Sequence, residues 1–402
     1  MLSIHSCPLG KVGSENTGGM SVYIREVARE LGRRGHFVDV YTRIHDPVHA
    51  QVVEMGQNAR LIHLKAGDEA DVIDRLTIWH HLGDFSSDLE NFKNQHALQY
   101  DLIHSHYWLS GMAGKRLQQW WGVPHVMGFH TLGAVKNTIG IGGDEPELRI
   151  RSEKELAKDC HRIIASTKKG KEDLIRYCDA SPETICIIPC GVNLDLFRPV
   201  EKEIARGYTG LNGDRIILFV GRIVPLKGVD NLLKAMTYLD RDQRLKLVVI
   251  GGDEHSEAEM QRLRNLSQDF KIDQSVTFLG LVRQEMLPFF YSAADLCVVP
   301  SYYESFGLVV LESLACGTPV VAARVGGAES IIQDGETGYV VADNSPSALA
   351  DKIARLLSTS NRDAGFSGSV RASVTRYSWS NVTEAIIAEY RSVLKDFSPE
   401  AP

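Results

Sequence analysis

Arg222 and Lys227 lie in VGRIVPLKG, residues 220–228, directly after an apolar run, with Gly221 and Gly228 able to make tight turns. An Arg and a Lys at a strand end suit two adjacent phosphates and would neutralise charge as a diphosphate departs. Two solvated cations on an ordinary strand-turn-helix fit the same spacing. The second group is ESFGLVVLE, residues 304–312. Glu304 is expected in a loop, where a carboxylate can accept from sugar hydroxyls. Glu312 is expected on a helix opened by Gly307 and Leu308, where it can accept from both ribose hydroxyls. Backbone amides of Phe306, Gly307 and Leu308 would then face a diphosphate at the helix N-terminus, which favours anions. An exposed, charged helix face is the plainer alternative. A third turn, RVGGAESI at 324–331, has the flexibility to edge such a pocket, and Glu329 is given no role.

The first half holds further candidates. NTGGMSVY, residues 16–23, lacks the GxGxxG spacing of a dinucleotide turn, so Gly18 and Gly19 are read as letting the backbone approach a phosphate or sugar closely. HSHYWLSG, 104–111, places His104, His106, Tyr107 and Trp108 at a strand end. Two histidines two residues apart are crowded like metal ligands, but without a carboxylate or cysteine partner packing or hydrogen bonding is the favoured reading. GFHTLGAVKN, 128–137, supplies His130, Thr131 and Lys136 in the same arrangement, and His130 could orient a sugar or be an ordinary buried histidine. Arg149 and Arg151, in PELRIRSEK, sit on an expected helix from Glu147 to Lys158. Solvation explains both, but Arg149 could clamp an anion together with Tyr107, Thr131 and Arg75.

These segments need elements to hold them. LSIHS, FVDVYT, DLIHSH, HVMGFH, HRIIAST and TICIIP read as short strands alternating with helices, and residues 44–98 as a long irregular stretch. After the Pro/Gly/Asn-rich loop PCGVNLDLFRPV the rhythm restarts with RIILFVG, KLVVIGG, SVTFLG, DLCVVP and PVVAA. Such alternation predicts two α/β Rossmann-like domains, 1–195 and 196–379, with a largely parallel sheet in each and an active site in the cleft they face. The amphipathic tail 380–402 is expected to pack back on the first domain.

Composition narrows the class. The formal charge of −7 argues against a nucleic-acid coat, and 44% hydrophobic residues suffice for two cores. Seven cysteines without CxxC spacing suit a reducing, cytoplasmic setting with neither a disulfide scaffold nor structural zinc. No export signal and no run of about 20 apolar residues is found.

Taken together, GGMSVY, HSHYWLSG, GFHTLGAVKN, FVGRIVPLKG and ESFGLVVLE resemble the family-4 retaining glycosyltransferases of the GT-B fold, over nearly the whole chain. The resemblance is strongest to the branch that glycosylates inositol phosphate and more distant to sucrose-phosphate-synthase-like members. It implies that Arg222 and Lys227 hold the donor diphosphate, that Glu304 and His130 attend the transferred sugar, and that Phe306, Gly307 and Leu308 contact the donor through backbone. It also implies that Glu312 binds ribose and Gly19 nears the diphosphate. Tyr107, Thr131 and Arg149 match acceptor-phosphate positions, Arg75 replaces a lysine, and Ser21 stands where the family pattern has Asn. TIWHHLGDF, 77–85, is closer to the sucrose-phosphate-synthase-like members.

The implied reaction transfers glucose or N-acetylglucosamine from a UDP-sugar to a small phosphorylated acceptor such as inositol 3-phosphate, or to a ketose phosphate. Same-face attack assisted by the leaving phosphate makes Glu304 an orienting ligand, and no metal or other cofactor is implied. The partners expected are donor and acceptor, without nucleic acid or a transmembrane segment, and with a homodimer as candidate assembly. A non-catalytic sugar-nucleotide sensor is the alternative from another class. An NAD enzyme lacks its fingerprint here, and no lysine has a context that signals the pyridoxal phosphate of a phosphorylase.

Overall fold

Runs of β-branched and aliphatic residues that are buried on both faces can only sit in a sheet covered on both sides. The computed structural model describes residues 1–11, 17–46, 48–67, 74–211, 215–240, 244–358 and 365–397. Asn16, the start of the NTGG turn, and part of the 44–98 stretch lie outside them. The chain divides into two compact units, one of Met1–Gly10, Gly19–Pro189 and Trp379–Pro402, the other of Lys11–Gly18 and Cys190–Ser378.

The first unit contains β1 (Val38–Arg43), β2 (Val52–Gly56), β3 (Ala59–Leu64), β4 (Ile103–His106), β5 (His125–Gly128), β6 (Arg162–Ala165) and β7 (Ile185–Ile187). β1 and β3 run parallel, as do β4 through β7 in sequence. Leu2 bridges both β1, at Tyr41, and β4, at Ser105, so it joins the two groups into one sheet. LSIHS therefore supplies a single bridging residue where a strand is expected, because the chain turns from Ile4 onward.

The described residues of the 44–98 stretch are not irregular. β2 and β3 form an antiparallel hairpin, and helices Arg75–His80 and Leu82–Gln95 follow. The turn is Gln57–Asn58, with Asn58 at φ 53°, a conformation that Asn tolerates better than most residues. Mostly exposed positions in β2 hide it from a search for apolar runs. Helix Trp379–Asp396 belongs to this unit: it packs on helix Gly19–Arg33, and Tyr390 bonds to His104 Nδ1 at 2.6 Å.

In the second unit β8 (Arg215–Val220), β9 (Leu245–Ile250), β10 (Val276–Gly280), β11 (Leu296–Val299), β12 (Val320–Ala323) and β13 (Gly338–Val341) form one parallel sheet in the order β10-β9-β8-β11-β12-β13. In chain order this is 3-2-1-4-5-6, that of a doubly wound dinucleotide-binding sheet. The strand order reverses between β8 and β11, which makes the carboxyl ends of these two strands the topological switch point of the sheet. Both units are thus Rossmann-like. Among the described residues, no helix is long and apolar enough to cross a membrane.

Candidate active site

The second unit places its chemistry at that switch point. The loop after β8 carries Arg222 and Lys227, and the loop after β11 carries Ser301 and Glu304. Lys227 Nζ donates to Glu304 Oε1 at 2.6 Å, and Ser301 Oγ donates to the same oxygen at 2.7 Å. The two loops are also tied through backbone, with Tyr302 N–H donating to the Leu226 carbonyl at 2.9 Å. Gly228 has φ 66°, and a Cβ there would lie 2.2 Å from the Pro300 carbonyl oxygen. Only glycine lets these loops meet. Gly228→Ala is therefore expected to lower both stability and donor affinity, measured together by urea unfolding and nucleotide titration; retention of both would mean that the loops can separate at no cost.

Helix Leu308–Ala315 follows, capped by Gly307 at φ 104°. Val310 N–H donates to the Gly307 carbonyl at 3.0 Å, and the N-terminus of this helix, which follows the loop after β11, is suited to an anion. Phe306 is 2% exposed, and its carbonyl accepts from Gly327 N–H at 2.7 Å. The RVGG turn thus braces the ESFG loop, and a Cβ on Gly326 would meet Phe306 O at 2.7 Å and Glu304 Cβ at 2.9 Å. Glu312 is buried and accepts from the Tyr291 hydroxyl at 2.9 Å. Burial and the adjacent Glu312 raise that phenol well above its ordinary range, so it stays a proton donor. Glu329 pairs with Arg324 at the surface, 3.1 Å away.

The first unit gathers a separate cationic cluster around Tyr107. Arg149 sits 4.7 Å over its ring and Arg75 5.9 Å, while His5 packs against it with centroids 4.1 Å apart. Arg149 is not a solvated helix cation: it has 0% exposure. Its Nε donates to Glu153 Oε1 at 2.6 Å, its Nη2 to the Thr131 carbonyl and hydroxyl at 2.9 Å each, and its Nη1 lies 2.8 Å from Glu145 Oε2. Lys136 donates to the other Glu145 oxygen at 2.5 Å. Burial alone would raise the Glu145 carboxyl, but Arg149 and Lys136 outweigh it and bring it to about 2. Glu153 goes the other way, because its burial outweighs the attraction of Arg149. Arg75 is the exposed member of the group. Ser21 is fully buried with its hydroxyl 2.6 Å from that of Ser6, so it is held within the packing.

His130 borders this cluster. Its Nε2 lies 3.0 Å from His106 Nδ1, and its φ of 59°, like the 74° of Tyr107, is rare for a residue with a side chain. His104 and His106 thus bond to Tyr390 and His130. Burial brings His125 down to about 3 and His130 to about 4, and drives His104 and His106 well below the ordinary value. A depressed pKa means that the unfolded chain binds more protons below about pH 6.5. Stability should thus fall as pH drops from about 6.5 toward the folded values, by about 2 kcal/mol at pH 5 for one such histidine. Urea midpoints at pH 7 and pH 5 test this; an unchanged midpoint contradicts it.

Sequence spacing did not mark Ser301, Glu145 or Glu153. Ser301 acts by donating to Glu304, and Glu145 and Glu153 by pairing with Arg149 four residues away on either side, partnerships that no motif announces. Gly19 opens helix Gly19–Arg33, and Arg151 is exposed.

Two doubly wound units, the second with a phosphate-suited switch point, define a two-domain GT-B glycosyltransferase. Residues 17–196 match the family described as Glycosyltransferase Family 4, and residues 201–371 that described as Glycosyl transferases group 1. The chain is 38% identical over 98% of its length to D-inositol 3-phosphate glycosyltransferase 2 of Catenulispora acidiphila, covering 95% of that protein. It is 39% identical over 89% of its length to D-inositol 3-phosphate glycosyltransferase of Corynebacterium diphtheriae, covering 86% of it. Among solved structures, sucrose-phosphate synthase from Thermosynechococcus elongatus superposes with a TM-score of 0.90 at 33% identity, over 98% of each chain. The chain belongs to the family-4, group 1 glycosyltransferases.

Proposed function

We propose that the protein moves a hexosyl unit, glucose or N-acetylglucosamine, from a UDP-sugar to a hydroxyl of a small phosphorylated acceptor, with retention at the anomeric carbon. The observation that carries the donor half is the Lys227–Glu304–Ser301 cluster at the switch point of a 3-2-1-4-5-6 sheet. Lys227 and Arg222 would take the charge of the departing diphosphate, and the amides of Gly307 and Leu308 would share it. Glu304 would hold Lys227 in place and accept from sugar hydroxyls, and Glu312, steadied by Tyr291, would accept from ribose.

The bond from the anomeric carbon to the phosphate oxygen breaks as the acceptor oxygen bonds on the same face. The acceptor proton passes to the leaving phosphate. His130, which burial keeps neutral, would donate to or accept from the sugar without carrying charge.

The acceptor half rests on Arg75, Lys136 and Arg149 converging around Tyr107 and Thr131. Glu145 occupies the anion position of that cluster, and a phosphate would exchange with it. Glu145→Gln should then tighten phosphorylated acceptors by a few-fold in KM while leaving neutral ones unchanged; a weaker or equal KM for both argues against the exchange.

Inositol 3-phosphate is the acceptor named by the Catenulispora and Corynebacterium relatives. A ketose phosphate is the second reading, supported by the 0.90 superposition on sucrose-phosphate synthase. The deciding experiment incubates UDP-, GDP- and ADP-sugars with inositol 3-phosphate, fructose 6-phosphate and unphosphorylated sugars, with products identified by mass. Acceptor-dependent product from a UDP-sugar and one phosphorylated acceptor is expected. Binding without turnover for every pair would make the chain a sensor.

A further inference from the structure

Away from the donor and acceptor clusters, the first unit brings together three side chains that are far apart in sequence. Cys7, His45 and His63 each offer one ligand atom, and these atoms all lie within 4.8 Å of one another. Cys7 Sγ is 4.0 Å from His63 Nε2. We propose that Cys7, His45 and His63 form a Zn2+ site with three protein ligands and a fourth position open to water.

The fold itself assembles the trio. His63 lies on β3, opposite Thr42 of β1. Beyond that pair Ile44 N–H donates to the Leu64 carbonyl at 2.8 Å, which sets His45 just past the end of β1. Cys7 opens the turn closed by Gly10 N–H on the Cys7 carbonyl. The orientation of His63 is fixed by a contact typical of zinc-bound imidazoles: its Nδ1 lies 2.8 Å from the Ala50 carbonyl. A carbonyl can only accept, so Nδ1 carries the proton and the Nε2 lone pair faces Cys7.

One soft sulfur and two imidazoles match Zn2+ better than Mg2+ or Ca2+, which take oxygen ligands. With Zn–S of about 2.3 Å and Zn–N of about 2.0 Å, tetrahedral S···N separations are roughly 3.5 Å. The sulfur and Nε2 need to approach by only a fraction of an ångström. As the ion binds, the thiol gives up its proton to solvent and the resulting thiolate bonds to the metal. The sequence hid this site because Cys7 and His63 have no ligand neighbour at CxxC or HxxxH spacing, and the one HxxxH pair, His45 and His49 in HDPVH, contributes only His45 to the trio.

The ion would fasten the turn at Cys7 to the β1–β2 connection. That turn begins two residues after His5, which packs on Tyr107. His49, itself exposed, stacks on His63 with centroids 5.3 Å apart.

The test uses the full chain without a polyhistidine tag. Zn2+ content is measured after loading and removal of excess metal, and Co2+ is titrated as a spectroscopic probe. One equivalent per chain and a thiolate-to-Co2+ charge-transfer band are expected. Cys7→Ser should abolish the band and weaken Zn2+ by roughly 100-fold. His63→Asn should weaken it similarly, and Zn2+ should raise the melting temperature of the wild type but not of either variant. Circular dichroism checks that both variants fold. Substoichiometric Zn2+ with no Co2+ band in the wild type overturns the proposal. So does a band that survives Cys7→Ser, which would assign the metal to another cysteine.

Discussion

Replacing Lys227 by alanine is expected to lower UDP-sugar turnover about 10²–10³-fold, the usual loss when one preorganised group that stabilises developing charge is removed. The lysine is partly exposed and its side chain donates to the partly exposed Glu304, so the variant should fold. The kinetic signature distinguishes two roles. If Lys227 acts mainly on the departing phosphate, kcat and kcat/KM fall together, whereas loss of ground-state binding raises KM with kcat intact. A fold-competent variant with undiminished turnover would remove Lys227 from the mechanism. Glu304→Gln supplies the comparison: it keeps the shape of the loop but loses the charge that steadies Lys227, and a smaller loss in kcat is expected from it.

Arg149→Ala is expected to cost about 3–5 kcal/mol of stability, because it leaves Glu153 buried beside an empty space with no cation. Urea unfolding monitored by fluorescence gives the value, and a loss below about 1 kcal/mol, the range of exposed pairs, would mean that the pair is solvated. This burial changes how the acceptor cluster is to be probed. Loss of activity in Arg149→Ala cannot be separated from loss of fold, whereas Arg75 is exposed on helix Arg75–His80 and can be removed cleanly. Arg75→Ala should raise KM for phosphorylated acceptors about tenfold, equivalent to about 1.4 kcal/mol, and leave neutral analogues unchanged. Equal effects on both would count against phosphate recognition.

The second unit was legible because its information is local. Each of its first five strands is a short apolar run, and the groups proposed for the donor follow two of those runs within a few residues. The first unit was less so. Its β2–β3 hairpin presents a mostly exposed strand and a Gln57–Asn58 turn, which lacks the glycine that usually marks such turns. Arg149 looked like a surface cation on a helix of mixed charge, since burial is decided by Glu145, Glu153 and Tyr107, two of them on the same chain segment but only one on the same helix. Cys7, His45 and His63 are separated by 38 and 18 residues; the pairing of β1 with β3 brings His63 to His45, and the bonding of Leu2, Ser3 and Ile4 along β1 brings Cys7.

The placement of helix Trp379–Asp396 in the first unit bears on biogenesis. That unit is discontinuous in sequence: its sheet is complete by β7, but the helix that covers Tyr23 and bonds to His104 is translated after the whole second unit. At about 5–20 residues per second, the nascent first unit waits at least several seconds on the ribosome with this face uncovered. A fragment ending at Pro189 would keep that exposure permanently, so the sequence midpoint is a poor place to divide the gene, and co-expression of the terminal helix in trans is the more promising way to obtain the first unit alone.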